Sequence, residues 1–192
     1  MTTDIYQQNP RQYFDSTVNI DPTSFLSPLA ALLPPGAHIL DIGCGSGRDL
    51  KWFQDRGHHA TGLERSHGLA TLAREHSGCN VIPGDFETFD FSAIQVDAMV
   101  LVGALVHVAR ERLRPVLKRI LQGLVPGGHM LLTLKQGAGV REHADGRVFT
   151  LWKDGEVRGA FGGLGVKVVD FRVQRSGLRE KDVWLGYVVS KE

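Results

Sequence analysis

Cysteine is nearly missing from this sequence: Cys44 and Cys79 are the only two in 192 residues. They form no CxxC and neither stands in a His/Cys cluster of zinc-ligand spacing, so a disulfide framework and a structural zinc site are set aside and free thiols in a reducing compartment are expected. An excess of one charge is missing too. Twenty-two Lys and Arg against 21 Asp and Glu leave a formal charge of +1, so no overall field draws the chain to nucleic acid or to an anionic membrane. No apolar run approaches the roughly 18 residues of a membrane span, and the start, Met-Thr-Thr-Asp-Ile-Tyr-Gln-Gln, lacks the basic and apolar regions of a signal peptide. A cytoplasmic location is expected. Internal repeats, low-complexity tracts and linkers are also lacking, and 192 residues leave room for one α/β domain with a full core but not for a second of ordinary size. One domain over 1–192 is expected, with an N-terminal segment and leading helix over 1–35 and the core over 37–192.

What is present is organised around Ile39-Leu-Asp-Ile-Gly-Cys-Gly-Ser-Gly-Arg-Asp49. Ile39, Leu40 and Ile42 suit a buried parallel strand, and Gly43, Gly45 and Gly47 remove Cβ atoms that would keep a backbone away from a ligand. Strand, acid, glycine turn and helix in that order bring backbone N–H groups and a helix N-terminus to one point, as nucleotide-binding turns do.

The rest of the chain alternates. The first twenty residues are polar and aromatic (Tyr6, Tyr13, Phe14) with no sustained period, after which Phe25, Leu26, Leu29, Leu32 and Leu33 recur at helical spacing until Pro34-Pro35-Gly36. Leu50 and Phe53 mark a helix that stops at Gly57. His59 to Leu63 reads as a strand ending at Glu64, and Ser66 as the cap of a helix bearing Leu69, Leu72 and Ala73 that stops at Gly78. A third strand covers Asn80 to Ile82, and Val96 to Val102 is apolar enough to be covered on both faces. Leu113, Val116, Leu117, Ile120, Leu121 and Leu124 follow the i, i+3, i+4, i+7 pattern, with Pro115 tolerable in the first turn. A fifth strand is expected at His129 to Leu134 and a mobile loop at Gln136 to Gly146. Val166 to Val173 and Asp182 to Ser190 are joined by Gln174 to Lys181, too short for a parallel crossover, which makes the closing pair antiparallel.

With these features in place the chain resembles the class I S-adenosylmethionine (SAM) dependent methyltransferases. Asp41 to Gly47 has the form Asp-x-Gly-x-Gly-x-Gly of that family's first motif. Glu64 stands where the family has the acid ending its second strand, Gly84-Asp85-Phe86 where it has the segment after the third, and Leu124-Val-Pro-Gly-Gly-His-Met-Leu-Leu where it turns into the fifth. The Gly-Ser-Gly-Arg-Asp form, Tyr6, Tyr13 and Leu105-Val-His-Val108 are most similar to small bacterial stand-alone members, some of them related to tellurite-resistance proteins. The resemblance implies a Rossmann-like α/β fold with a seven-stranded sheet in the order 3-2-1-4-5-7-6, strand 7 antiparallel and helices on both faces.

It also implies SAM as cofactor, S-adenosylhomocysteine as product and no metal. Asp41, with the backbone of Gly43, Cys44, Gly45 and Gly47, would meet the aminoacyl arm, directly or through water, and Arg48 would face its carboxylate. Glu64, beside Arg65, would take the ribose hydroxyls through two acceptor oxygens. Asp85 and the Phe86 N–H would meet the adenine edge, between apolar walls that include Leu101 and Val102. His107 after the fourth strand is the candidate catalytic residue, positioning the acceptor or removing its proton. Tyr6 and Tyr13 are candidates for an N-terminal lid at the acceptor rim, and Lys135, Arg141 and Arg147 for cations on that rim. A small-molecule acceptor is expected, with neither nucleic acid nor membrane as partner. An NAD-dependent oxidoreductase would show Gly-x-Gly-x-x-Gly, whereas one residue follows Gly45 before the next glycine. A nucleic-acid amino-methyltransferase would carry Asp/Asn-Pro-Pro-aromatic after the fourth strand, where this chain has Val102-Gly-Ala-Leu105. A non-catalytic SAM-binding regulator is the remaining alternative.

Overall fold

The computed structural model describes residues 4–143, 145–176 and 182–192. Its centre is the first strand, β1 (His38–Ile42), in which every residue after His38 is buried. Side chains alternate across a strand. Leu40 and Ile42 therefore join one core with the helices below, while Ile39 points to the opposite core. Asp41 shares the Ile39 side and is itself buried.

Around β1 the sheet runs β3-β2-β1-β4-β5-β9-β8, with β2 at His59–Glu64, β3 at Asn80–Pro83, β4 at Val96–Leu101, β5 at Leu124–Lys135, β8 at Val166–Arg175 and β9 at Val183–Lys191. The first five are parallel, and β9 pairs antiparallel with both β5 and β8. This is the sheet order and the closing antiparallel pair expected from the sequence. The connection from Gln174 to Lys181 lies partly outside the described residues.

Helices cover both faces. α3 (Thr23–Ala30) and α4 (Arg48–Gln54) place Leu26, Leu29, Trp52 and Phe53 on the Ile39 face, whereas α6 (Leu113–Ile120) and α7 (Asp154–Phe161) place Leu117, Ile120, Val157 and Phe161 on the other. α5 (His67–Ser77) begins at Ser66, whose Oγ accepts from the Leu69 N–H, and ends at Gly78 in the left-handed region. Pro115 falls in the first turn of α6, where its missing N–H breaks no helical bond.

Four local expectations change. The N-terminal stretch without a period forms two helices, α1 (Asp4–Gln8) and α2 (Pro10–Thr17), which pack on α5 and owe their position to tertiary contact. Helix α6 ends at Ile120, and Leu124 already belongs to β5, drawn in by pairing with Val96. The supposed mobile loop holds β6 (Val140–Glu142), paired antiparallel with β7 (Val148–Thr150). Helix α7 had no counterpart in the sequence reading; two glycines within its eight residues, at 155 and 159, dilute its apolar stripe.

Candidate functional site

Register carries the three acids to one end of the sheet. Asp41 pairs with Gly62 of β2 and Val100 of β4, and Glu64 pairs with Pro83 of β3. Asp41, Glu64 and Asp85 therefore stand in a row at or just beyond the carboxyl ends of β1, β2 and β3, beside the point where the strand order reverses from β1 to β4. Crevices open at such points in doubly wound sheets.

The glycine turn is held down on β2. Gly43 N–H donates to the Leu63 carbonyl at 2.7 Å, and Gly45 N–H donates to Glu64 Oε2 at 2.9 Å. Glu64 Oε1 accepts from Ser66 N–H at 2.8 Å. Each carboxylate oxygen keeps a second acceptor site. Burial pushes the Glu64 carboxyl above its ordinary range, with the backbone N–H groups of Ser66 and Gly45 opposing.

Asp41 lies deeper. Its Oδ2 is buried and has no hydrogen-bond partner among the described residues, an arrangement that is costly unless something bound supplies a donor. Burial, then the negative charge of Asp49, holds its carboxyl well above the usual range. Arg48 does not turn to Asp41. Its Nε and Nη2 donate to Asp49 Oδ1 and Oδ2 at 2.6 and 3.1 Å, a two-pronged pair at the start of α4.

Two cavities meet at this turn. The first, of about 290 Å³, is lined by Glu64, Arg65, Asp85, Phe86, Gly103 and His107 among others. The second, of about 330 Å³, takes in Asp41, Cys44, Arg48 and Val102 and extends to Lys135 and Arg147. Gly43, Gly45, Tyr6 and Tyr13 line both. A Cβ on Gly45 would stand 3.1 Å from Tyr13 Cε1, so α2 rests directly on the turn. Tyr6 meets Tyr13 edge-on with ring centroids 5.0 Å apart.

His107 ends a short turn, Ala104–His107, after β4. Its Nδ1 lies 2.5 Å from the Val148 carbonyl, which can only accept, so Nδ1 carries the proton and Nε2 accepts from the Tyr6 hydroxyl at 2.9 Å. Burial pulls its pKa below the ordinary histidine value. Val148 opposes this, and the charges of Arg147 and Lys135 add to it.

Several expected residues sit elsewhere or serve otherwise. Leu101 is fully buried in the core and lines neither cavity. Gly47 lines neither as well; a Cβ there would lie 2.8 Å from the Ala73 carbonyl, so it allows α4 and α5 to approach. Asp85 Oδ1 accepts from Glu87 N–H at 2.8 Å and Oδ2 from Arg65 at 3.1 Å, so it shapes its own turn while lining the first cavity. Burial raises the Cys44 thiol well above its usual range, which leaves it no nucleophile; both cysteines are free and buried. Lys135 lines the second cavity from a buried position at the end of β5, where it pairs with Asp182 and lies 4.3 Å from the Phe149 ring centroid. Arg141 donates to Asp182 Oδ1 at 2.7 Å, outside both cavity walls. Arg147 pairs with Asp145 and lies over Tyr6.

The sequence reading passed over Phe149 and Trp184, whose rings line the second cavity. β7 and β9 carry them there across some 35 positions of chain, and no local pattern announces it. Among the described residues no group of three or more His, Cys, Asp or Glu could hold a metal ion, and no helix is long and apolar enough to cross a membrane.

Residues 39–128 match the family described as a methyltransferase domain. That stretch runs from β1 into β5 and takes in the glycine turn, Glu64 and Asp85. The sheet order, with the last strand inserted antiparallel, is the one that the resemblance to the class implies. Over 99 residues the chain is 32% identical to a probable tRNA methyltransferase 9B of Bos taurus, a match covering 51% of this chain and 21% of the relative. The chain thus spans about a fifth of the first curated relatives' length. In fold it is similar to the Burkholderia thailandensis 1,6-didemethyltoxoflavin-N1-methyltransferase, solved with 1,6-didemethyltoxoflavin and S-adenosylhomocysteine, at a TM-score of 0.78 and 20% identity over 98% of this chain and 84% of that one. It is also similar to a TehB-like SAM-dependent methyltransferase of Corynebacterium glutamicum, at a TM-score of 0.71 and 22% identity over 98% and 97% of the two chains.

Proposed function

We propose that this chain transfers a methyl group from SAM to a small-molecule acceptor. The observation that carries the reading is the buried Asp41 Oδ2, left without a donor at a glycine turn whose next acid, Glu64, is already oriented by Gly45 and Ser66. An ammonium group reaching that cleft would supply the missing donor. In this reading the first cavity takes the adenosine part of SAM, with Glu64 accepting from the ribose hydroxyls and Asp85 and Phe86 at the adenine. The second takes the aminoacyl arm, near Asp41 and Arg48, and beyond it the acceptor.

Bound there, SAM supplies an electrophilic methyl group on a positively charged sulfur. The chain's own part is alignment and exclusion of water: the glycine turn fixes one end of the site, and Tyr6 and Tyr13 act as a lid over both cavities. The two-walled site is small and closed by aromatic rings, which favours a small acceptor over a polynucleotide, whatever the relatives that act on tRNA require.

Calorimetry with SAM, S-adenosylhomocysteine and NAD tests the cofactor. Binding of the first two without the third is expected, and NAD binding alone would overturn the reading. A screen of methyl transfer from labelled SAM to thiols, phenols, ring N–H compounds, carboxylates, tellurite and tRNA then separates the acceptors. Tight SAM binding with no transfer to any of them would favour a regulator.

A further inference from the structure

Tyr6 lines both cavities and hydrogen-bonds His107. Resting on the methyl-transfer reading above, we propose that Tyr6 and His107 form a proton relay, and that the second cavity takes a flat aromatic acceptor whose reacting oxygen or nitrogen carries an ionisable proton.

The geometry sets the direction of the relay. Val148, held in β7 by its pairing with Glu142, accepts from His107 Nδ1 at 2.5 Å. That contact leaves Nε2 as the free base, and Nε2 faces the Tyr6 hydroxyl at 2.9 Å. Tyr6 is itself fastened from outside: Ser66 Oγ donates to its carbonyl at 2.9 Å, and Gln7 Nε2 donates to the Arg65 carbonyl at 3.1 Å. The hydroxyl is thus aimed inward by the two helices that close the site. His107 meets Phe149 at a tilt of 43° with centroids 4.7 Å apart, and Phe149, Trp184 and Tyr6 supply ring walls to the second cavity. Such walls suit a planar conjugated ring.

The proton balance is closed. As the acceptor's O–H or N–H bond breaks, its electron pair forms the bond to the methyl carbon and the departing sulfur keeps the pair of the old bond. The acceptor's proton passes to the Tyr6 oxygen while the Tyr6 proton passes to His107 Nε2. The resulting imidazolium donates to Tyr6 and to Val148 and releases one proton to water once S-adenosylhomocysteine has left the first cavity. A carboxylate or a thioether would have no proton to give and no use for the relay.

The charged and titratable groups facing the pair are Tyr13 on α2, Lys135 on β5, Arg147 and Asp145 between β6 and β7, and Glu64 beyond Tyr6. Burial, Arg147 and Lys135 keep the free imidazole neutral, ready to accept.

The test uses the full chain loaded with S-adenosylhomocysteine and 4-nitrophenol as a coloured probe, at a pH below the probe's own pKa. The wild type is expected to hold the probe as the phenolate while 15N NMR shows His107 converting from the Nδ1–H tautomer to imidazolium. In Tyr6→Phe, which keeps the ring packing, the probe should bind as the neutral phenol and His107 should stay neutral. His107→Gln should retain the hydrogen bond to Tyr6 and lose the ionisation. With a phenol that is methylated, both variants should fall roughly 100-fold or more in kcat, the scale of lost base catalysis. An Nε2–H tautomer, equal probe spectra in wild type and Tyr6→Phe, or no probe binding to the loaded protein would each overturn the relay. Failure to bind S-adenosylhomocysteine would instead overturn the methyl-transfer reading.

Discussion

Tyr13 lies against Gly45, its Cε1 only 3.1 Å from where a Cβ would stand. The N-terminal helices and the glycine turn therefore share one contact, and Gly45 is needed twice: for that approach and for its φ of +54°. Gly45→Ala should cost about 1–2 kcal/mol of stability from the left-handed backbone alone and weaken SAM binding by at least tenfold. Thermal unfolding and calorimetry on the same preparation check both, and unchanged SAM affinity would remove the turn from the binding site.

Glu64 ties the turn to α5 through Gly45 and Ser66. If it also accepts from the ribose, Glu64→Ala should weaken SAM by about 2–3 kcal/mol, the range for a lost charged hydrogen bond. Methylthioadenosine, which keeps the ribose and lacks the amino-acid end, should lose as much. Loss for SAM but not for methylthioadenosine would place the effect in the turn instead.

Proton release is expected on SAM binding. Burial and Asp49 hold the Asp41 carboxyl raised in the free protein, and an ammonium brought to it favours the ionised form, lowering its pKa. Between the free and bound values Asp41 therefore gives up a proton as the cofactor binds. Titrations in two buffers of unlike ionisation enthalpy should yield different apparent heats, and equal heats would show that Asp41 does not respond.

Lys135 and Asp182 form a buried ion pair, with side chains 6% and 4% exposed. Asp182→Asn leaves the lysine uncompensated among rings and should destabilise the fold by about 3–5 kcal/mol, whereas Lys135→Met with Asp182→Leu should recover much of that. Burial would raise the Asp182 carboxyl, but the hydrogen bond and charge of Lys135, joined by Arg141, hold it below its ordinary value. A depressed carboxylate pKa contributes stability above the unfolded value, near 4. That stability is lost as pH falls through the folded value, so denaturant midpoints of wild type and Asp182→Asn should converge in acid.

Ser66 caps α5 and also donates to the Tyr6 carbonyl. Ser66→Ala should cost about 1 kcal/mol and release α1 from α5, seen as faster hydrogen exchange and proteolysis in residues 4–17. Unchanged exchange there would mean that the remaining contacts, Pro10 on Gly68, Gln7 on the Arg65 carbonyl and Tyr13 on Gly45, hold the segment without Ser66.

Much of this was legible in the residues. The run from Ile39 to Asp49, the acids at 64 and 85, the cap at Ser66 and the closing strands all depend on local chemistry, in which an apolar run, a glycine and a carboxylate stand at set spacing. Leu101 was misplaced because alternation along β4 turns it into the core, and one residue of phase decides which face a side chain takes. The burial of Lys135 and its pairing were not legible because its counter-ion lies 47 positions away, and the spacing of one strand says nothing about what stands beside its end.

The sequence by itself determined the strand-helix alternation, the glycine turn and the identity of its acids, because each follows from periodicity and turn chemistry within a few residues. Only the tertiary structure decided that Tyr6 meets His107, that Asp41 keeps an oxygen without a donor, and that Phe149 and Trp184 share a wall. Those arrangements join segments 35 to 101 positions apart, brought together by sheet register and by helices packing on α5. A linear pattern carries no record of them, because the energy that holds them is earned only when the whole sheet has closed.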